Sequence, residues 1–144
     1  MKLSDAVRAA RENDDWDRLI QAIPFAVFLR VRMEVKGERL TCVLPGDDRL
    51  VGNPWLPALH GGATAGFMEC AAILFLLWHR DSEAIPKTVD FTIDYLRSGK
   101  LQDTRATMQM VKLGSRVANI RVTAYQADPD KPIAVGYGNF LLPS

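Results

Sequence analysis

The stretch Asn53–Arg80, NPWLPALHGGATAGFMECAAILFLLWHR, decides how the rest of the chain is read. Pro54 and Pro57 bias their neighbours toward extended backbone and stiffen the approach. The chain then turns through His60-Gly61-Gly62 and runs to Trp78 almost without polar residues. A helix apolar nearly all round needs packing partners on most of its surface. In the middle of the run sits Glu69, and an ionisable group in such a helix is costly unless neutralised, paired or hydrogen-bonded. The span from Gly62 to Trp78 is about the minimum length for a membrane crossing. Glu69, the many small residues and the ordinary remainder of the chain favour a buried core helix instead.

Upstream, Ser4 or Asp5 can cap a first helix reaching about Asn13. Asp14-Asp15 interrupts it, Trp16, Leu19, Ile20 and Ile23 resume a helical spacing, and Pro24 stops it. Phe25–Val35 and Glu38–Leu44 read as two strands around a tight turn at Lys36-Gly37. Downstream, a turn at Asp81-Ser82 precedes four strand-like segments: Thr88–Tyr95, Asp103–Leu113, Arg116–Ala127 and Ile133–Leu142. Their hairpin spacing indicates an antiparallel sheet. In the first of them, Val89, Phe91, Ile93 and Tyr95 alternate with Thr88, Asp90, Thr92 and Asp94. The expected class is α+β. A curved antiparallel sheet of about six strands would wrap around the long central helix, with an extra N-terminal helix, which is the hot-dog fold. The chain reads as one domain over 1–144, with a helical segment over 1–23 and the core over 24–142.

The totals agree. At 144 residues, a single domain buries about 70% of its unfolded surface. An apolar fraction of 48% with 24% charged residues is ordinary for a globular protein. The net charge of +1 without a basic cluster argues against nucleic acid as principal partner. Cys42 and Cys70 have no paired spacing and no signal peptide precedes them, so reduced thiols in the cytoplasm are expected. The two His and two Cys form no metal-ligand spacing, and neither metal nor cofactor is expected.

The first-turn N–H groups of a helix lack intrahelical partners and carry partial positive charge. Gly61 and Gly62 would let a carbonyl oxygen approach them, although two glycines can equally serve only a sharp turn. Glu69 is either a structural carboxylate or a general base. It lies nine residues after His60, roughly 13 Å along the helix, so it cannot serve an oxyanion at its own N-terminus. It could serve the N-terminus of an antiparallel helix from another subunit, which Ala63, Ala65 and Gly66 would allow to approach. A catalytic site therefore implies at least a dimer. His60 either meets substrate or holds the loop, Asn53 before Pro54 is also an ordinary turn signal, and Cys70 points about 100° away from Glu69 on the helix.

Asn53, His60-Gly61-Gly62 and Glu69, followed by VDFTIDYLRSG over 89–99 and GSRVANIRV over 114–122, resemble the hot-dog acyl-CoA thioesterases of the phenylacetate-pathway (PaaI) type. The likeness spans about Pro24 to Leu142. It implies dimers, often tetramers, with sites across the interface. It implies Glu69 as the acid, Gly61 as the carbonyl-polarising residue with Gly62 beside it, and His60 and Asn53 as site residues. Thr88 would assist the water or the acid. Val89, Asp90, Arg97, Gly114, Ser115 and Arg116 would contact the acyl-CoA, with Lys100, Lys112 and Arg121 as further cations for its phosphates. Asn53 stands seven residues before His60 rather than about six, and Ser98 replaces a common Pro. Trp55, Phe67 and Ile73 would line the acyl pocket.

The implied reaction is hydrolysis of an acyl-CoA thioester, Glu69 activating water or attacking directly. A non-catalytic acyl-CoA-binding module is the alternative. A hydroxyacyl-thioester dehydratase is a third reading, disfavoured because Trp55 stands where such enzymes carry an upstream histidine.

Overall fold

A computed structural model describes residues 2–80 and 82–143. The elements in order are α1 (Leu3–Asn13), α2 (Asp17–Gln21), α3 (Pro24–Leu29), β1 (Arg32–Lys36), β2 (Arg39–Leu44), a 3-10 turn (Asp48–Leu50), β3 (Val51–Asn53), β4 (Ala58–Leu59), α4 (Gly61–His79), β5 (Lys87–Tyr95), β6 (Thr104–Leu113), β7 (Val117–Tyr125) and β8 (Ala134–Leu141). Six strands form one antiparallel sheet in the order β1-β2-β6-β7-β8-β5. Its inner face presents Cys42, Ala106, Ala118, Ile120, Val122, Ala124 and Phe140, all fully buried with Phe67, Met68, Leu74 and Leu77 of α4. The apolar helix is thus the core around which the sheet curves, as the sequence predicts.

Three local readings change. Phe25 does not begin a strand: Pro24 occupies the first position of α3, where its missing N–H costs nothing. Ala26 and Leu29, three apart, are buried, while Phe25 and Phe28 are exposed and stacked at 6.0 Å. Arg30 then turns the chain with φ 60°, and the strand begins at Arg32. At the N-terminus the cap is Lys2 with no side-chain bond, and Asp5 lies in the first turn instead. The expected turn at Asp81-Ser82 begins on a residue outside the described ones.

The third change concerns topology. β6, β7 and β8 are a meander, but β5 does not form a hairpin with β6; it lies at the edge, paired only with β8. The proline-stiffened approach to α4 also contains the small β3–β4 ladder. Gly37, at φ +63°, makes the expected β1–β2 turn. At the other end α1 docks on α4, where Arg11 donates to the Trp78 carbonyl at 3.0 Å.

Candidate active site

The first turn of α4 is held from both sides. His60 is the N-cap, with extended backbone, and its Nδ1 accepts from the Gly62 N–H at 2.8 Å. An accepting Nδ1 is unprotonated, so the proton of the neutral ring sits on Nε2. Tyr95, at the far end of β5, donates its hydroxyl to the Gly61 carbonyl at 2.8 Å. A Cβ on Gly61 would stand 3.3 Å from the Tyr95 ring, and one on Gly62 would meet the His60 imidazole at 2.9 Å. The two glycines are therefore needed for close packing. Among the described residues no hydrogen bond claims the Gly61 N–H, whereas that of Gly62 is taken. Beside Gly61 opens a cavity of about 390 Å³ lined by Thr64, Tyr95, Leu96 and Arg97.

Glu69 lies on the strip of α4 that its own sheet leaves partly uncovered, with Ala65, Gly66 and Ile73. It is half-buried, and Thr88 donates to its Oε1 at 3.1 Å. Regular alternation would put Thr88 on the opposite face from Phe91. A bulge resolves this: β5 slips between Thr88 and Asp90 against Phe140 and Asn139 of β8. The extra residue, Val89, is left 60% exposed on the free edge, and Thr88 joins the buried Phe140 on the helix side. Gly66, expected to admit a partner helix, is covered by its own chain: a Cβ there would lie 2.7 Å from the Phe25 ring.

The remaining predicted residues separate into groups. Asn53 is exposed, and its Oδ1 accepts from the Trp55 N–H at 3.0 Å, the ordinary turn role. Asp90 faces away from α4, where Asn139 donates to it at 2.9 Å and Asn119 donates to Asn139 at 2.8 Å. Arg97 donates to the Pro132 carbonyl at 2.8 Å beside the Gly61 cavity. Gly114-Ser115-Arg116 forms the β6–β7 turn at the other end of β5. There, Ser115 and Arg116 share a cavity of about 660 Å³ with Glu83, Ile85, Lys87 and Leu142. Trp55 projects from the β3–β4 hairpin at 93% exposure, and Phe67 is fully buried in the core rather than lining a pocket. Lys87 and Tyr95 escaped the sequence reading. Their roles depend on β5 running alongside α4 from Gly61 to Glu69, which no local pattern encodes.

Cys70, next to Glu69, has its thiol pushed up to about 12, first by burial and then by the Glu69 charge. Cys42 is fully buried and shifted upward for the same leading reason. Neither is a thiolate nucleophile.

Comparison with known proteins bears on the family and the fold. A family model described as the thioesterase superfamily covers residues 56–133. The crystal structure of a Chromobacterium violaceum protein is 37% identical, covers 96% of each chain and superposes with a TM-score of 0.77. A Ralstonia eutropha protein, described as a candidate thioesterase related to phenylacetic acid degradation, is 13% identical, with 88% of this chain and 98% of that one covered and a TM-score of 0.76. A Bacillus halodurans protein, solved with CoA, is 22% identical, with 99% and 89% covered and a TM-score of 0.74. The last two attest the fold. Among curated proteins none matches this sequence. Matched by the family model over more than half its length, and by a solved relative over nearly all of it, the chain is a hot-dog protein of the thioesterase superfamily.

Proposed function

We propose that the protein hydrolyses acyl-CoA thioesters to free acid and CoA, in PaaI-type sites each shared by two copies of the chain. The observation that carries this reading is the pair of contacts made by β5. One end touches Glu69 through Thr88 and the other touches Gly61 through Tyr95. With Thr88 and Val89 counting as one step at the bulge, Thr92 lies midway between that bulge and Tyr95. β5 is a nine-residue edge strand with an unpaired side. If two such edges pair antiparallel about a two-fold at Thr92, Tyr95 of each copy comes opposite the Thr88–Val89 bulge of the other. Gly61 of one copy then approaches Glu69 of the partner subunit. This supplies the second helix that the roughly 13 Å separation within one helix demands.

In that site the thioester oxygen accepts from the Gly61 N–H, where the positive end of the helix stabilises charge developing on it. Glu69 of the partner subunit takes a proton from water as the water attacks the carbonyl carbon. Thr88 occupies Oε1, which leaves Oε2 for the water. Collapse of the adduct expels CoA as thiolate; a thiol pKa of about 8.5, as for cysteine, lets it leave with little protonation. His60 holds the first turn. Lys87, Ser115 and Arg116 at one end, and Arg97 at the other, are the candidates for the CoA phosphates. The reading extends to dimers pairing as tetramers and to a cytoplasmic setting, which unpaired cysteines suit. The CoA in the Bacillus halodurans relative supports the ligand class.

The experiment is thiol release from a panel of acyl-CoAs followed with a thiol reagent. Hydrolysis is the expected result. Binding without turnover would favour a carrier module, and loss of water without thiol release a dehydratase.

A further inference from the structure

We propose that Tyr95 is a positioning residue that sets the Gly61 N–H for the thioester oxygen; this deepens the thioesterase reading and rests on it. The Gly61–Gly62 peptide is gripped at both ends. Its carbonyl accepts from the Tyr95 hydroxyl at 2.8 Å and its N–H donates to His60 Nδ1 at 2.8 Å. Both bonds polarise the same peptide unit in the same sense, and such bonds strengthen one another. The preceding peptide, which carries the free Gly61 N–H, is held on its other side. There the His60 carbonyl accepts from the Ala63 and Thr64 N–H at 3.0 and 3.2 Å, and the two grips together leave it little freedom to rotate. An oxyanion donor works only if it is aimed before charge develops.

The contact is built for this purpose rather than incidental to packing. Tyr95 is 56% exposed, so its ring adds little to the core, yet it lies close enough to Gly61 that a Cβ would stand 3.3 Å from it. It also stands at the opposite end of β5 from Thr88, which holds Glu69. One strand thus aligns the carbonyl-binding half of one site and the water-activating half of another.

Tyr95→Phe keeps the ring on Gly61 and removes only the hydroxyl. The expected result is a fall in kcat of about five- to tenfold, the worth of one hydrogen bond. KM should change less than twofold and the melting temperature should stay near wild type. In the ¹⁵N-labelled protein the Gly61 and Gly62 amide resonances should shift and the hydrogen-bonded Gly62 hydrogen should exchange faster. In a His60→Ala background, where the peptide is already loose, Tyr95→Phe should lower kcat by less than twofold. Wild-type kcat, unmoved amide resonances, or losses that multiply fully across the two substitutions would overturn the proposal. If the wild-type protein releases no thiol from any acyl-CoA, the thioesterase reading fails, and the amide resonances alone decide whether Tyr95 sets Gly61.

Discussion

Glu69 accepts from Thr88 on one oxygen, and among the described residues its half-burial is met by that hydroxyl rather than by an ion pair. Glu69→Gln keeps the size and one acceptor of the side chain but removes the base. We expect kcat to fall by about 10²- to 10⁴-fold with the far-ultraviolet circular dichroism and melting temperature unchanged. Unchanged turnover would remove Glu69 from the chemistry. The neighbouring thiol gives an independent test. With Cys70 pushed up to about 12 by burial and by the Glu69 charge, almost no thiolate exists at pH 8. Iodoacetamide should label neither cysteine in the folded protein and both after unfolding, as read by mass. Glu69 and the His60-Gly61-Gly62 turn were legible in the sequence because each breaks a local rule: a carboxylate in an apolar run, and glycines where a helix begins. Tyr95 breaks no rule where it stands, so nothing in the sequence marks it.

Elements were legible where one period dominated and illegible where two competed. In α3 the aromatic and β-branched composition imitates a strand, and only the burial of Ala26 and Leu29 shows the helical spacing. In β5 the strict alternation is genuine, but the bulge at Val89 shifts its phase, so Thr88 faces the helix. That bulge interrupts the backbone ladder, and the Asn119–Asn139–Asp90 hydrogen bonds hold the outer face at the same level. The packing of α3 on α4 predicts a compensating pair. Gly66→Ala gains helix propensity of about 1 kcal/mol but drives into the Phe25 ring. It should not stabilise the wild type in urea unfolding, yet should stabilise Phe25→Ala. Before β3, Asp47 accepts from the Arg49 backbone and side chain, with Arg30 nearby. The Arg49 hydrogen bonds, the largest cause, lower its carboxyl to about 2. A depressed folded value stabilises above the unfolded value of about 3.9 and is lost as pH falls through 2. Asp47→Asn should therefore lower the denaturation midpoint at pH 6, with the difference from wild type shrinking to a small remainder by pH 2.

At the scale of the molecule, the order of elements around one apolar helix was enough to specify the sheet and its curvature. The place of β5 in that sheet was not. Hairpin spacing joins neighbours in sequence, while β5 pairs across an intervening meander with β8. Only that placement leaves its other side free and exposes Val89. A charge on this edge opposes pairing. Val89→Asp should shift the protein toward monomer in analytical ultracentrifugation and abolish thiol release together with dimerisation. A monomer with full turnover would sink the shared-site reading.

The same placement bears on how the protein is made. The contacts that align Glu69 and Gly61 both come from residues 87–95, whose own partner strand is residues 134–141. On the ribosome, α4 and β5 are therefore complete some forty residues before anything exists for β5 to pair with. Until β8 emerges, the strand carries unpaired backbone groups and an apolar face against a half-formed core, a state exposed to aggregation. Synthesis that stalls within β7 should yield chains needing chaperone protection, with both halves of the site unaligned until the final strand arrives.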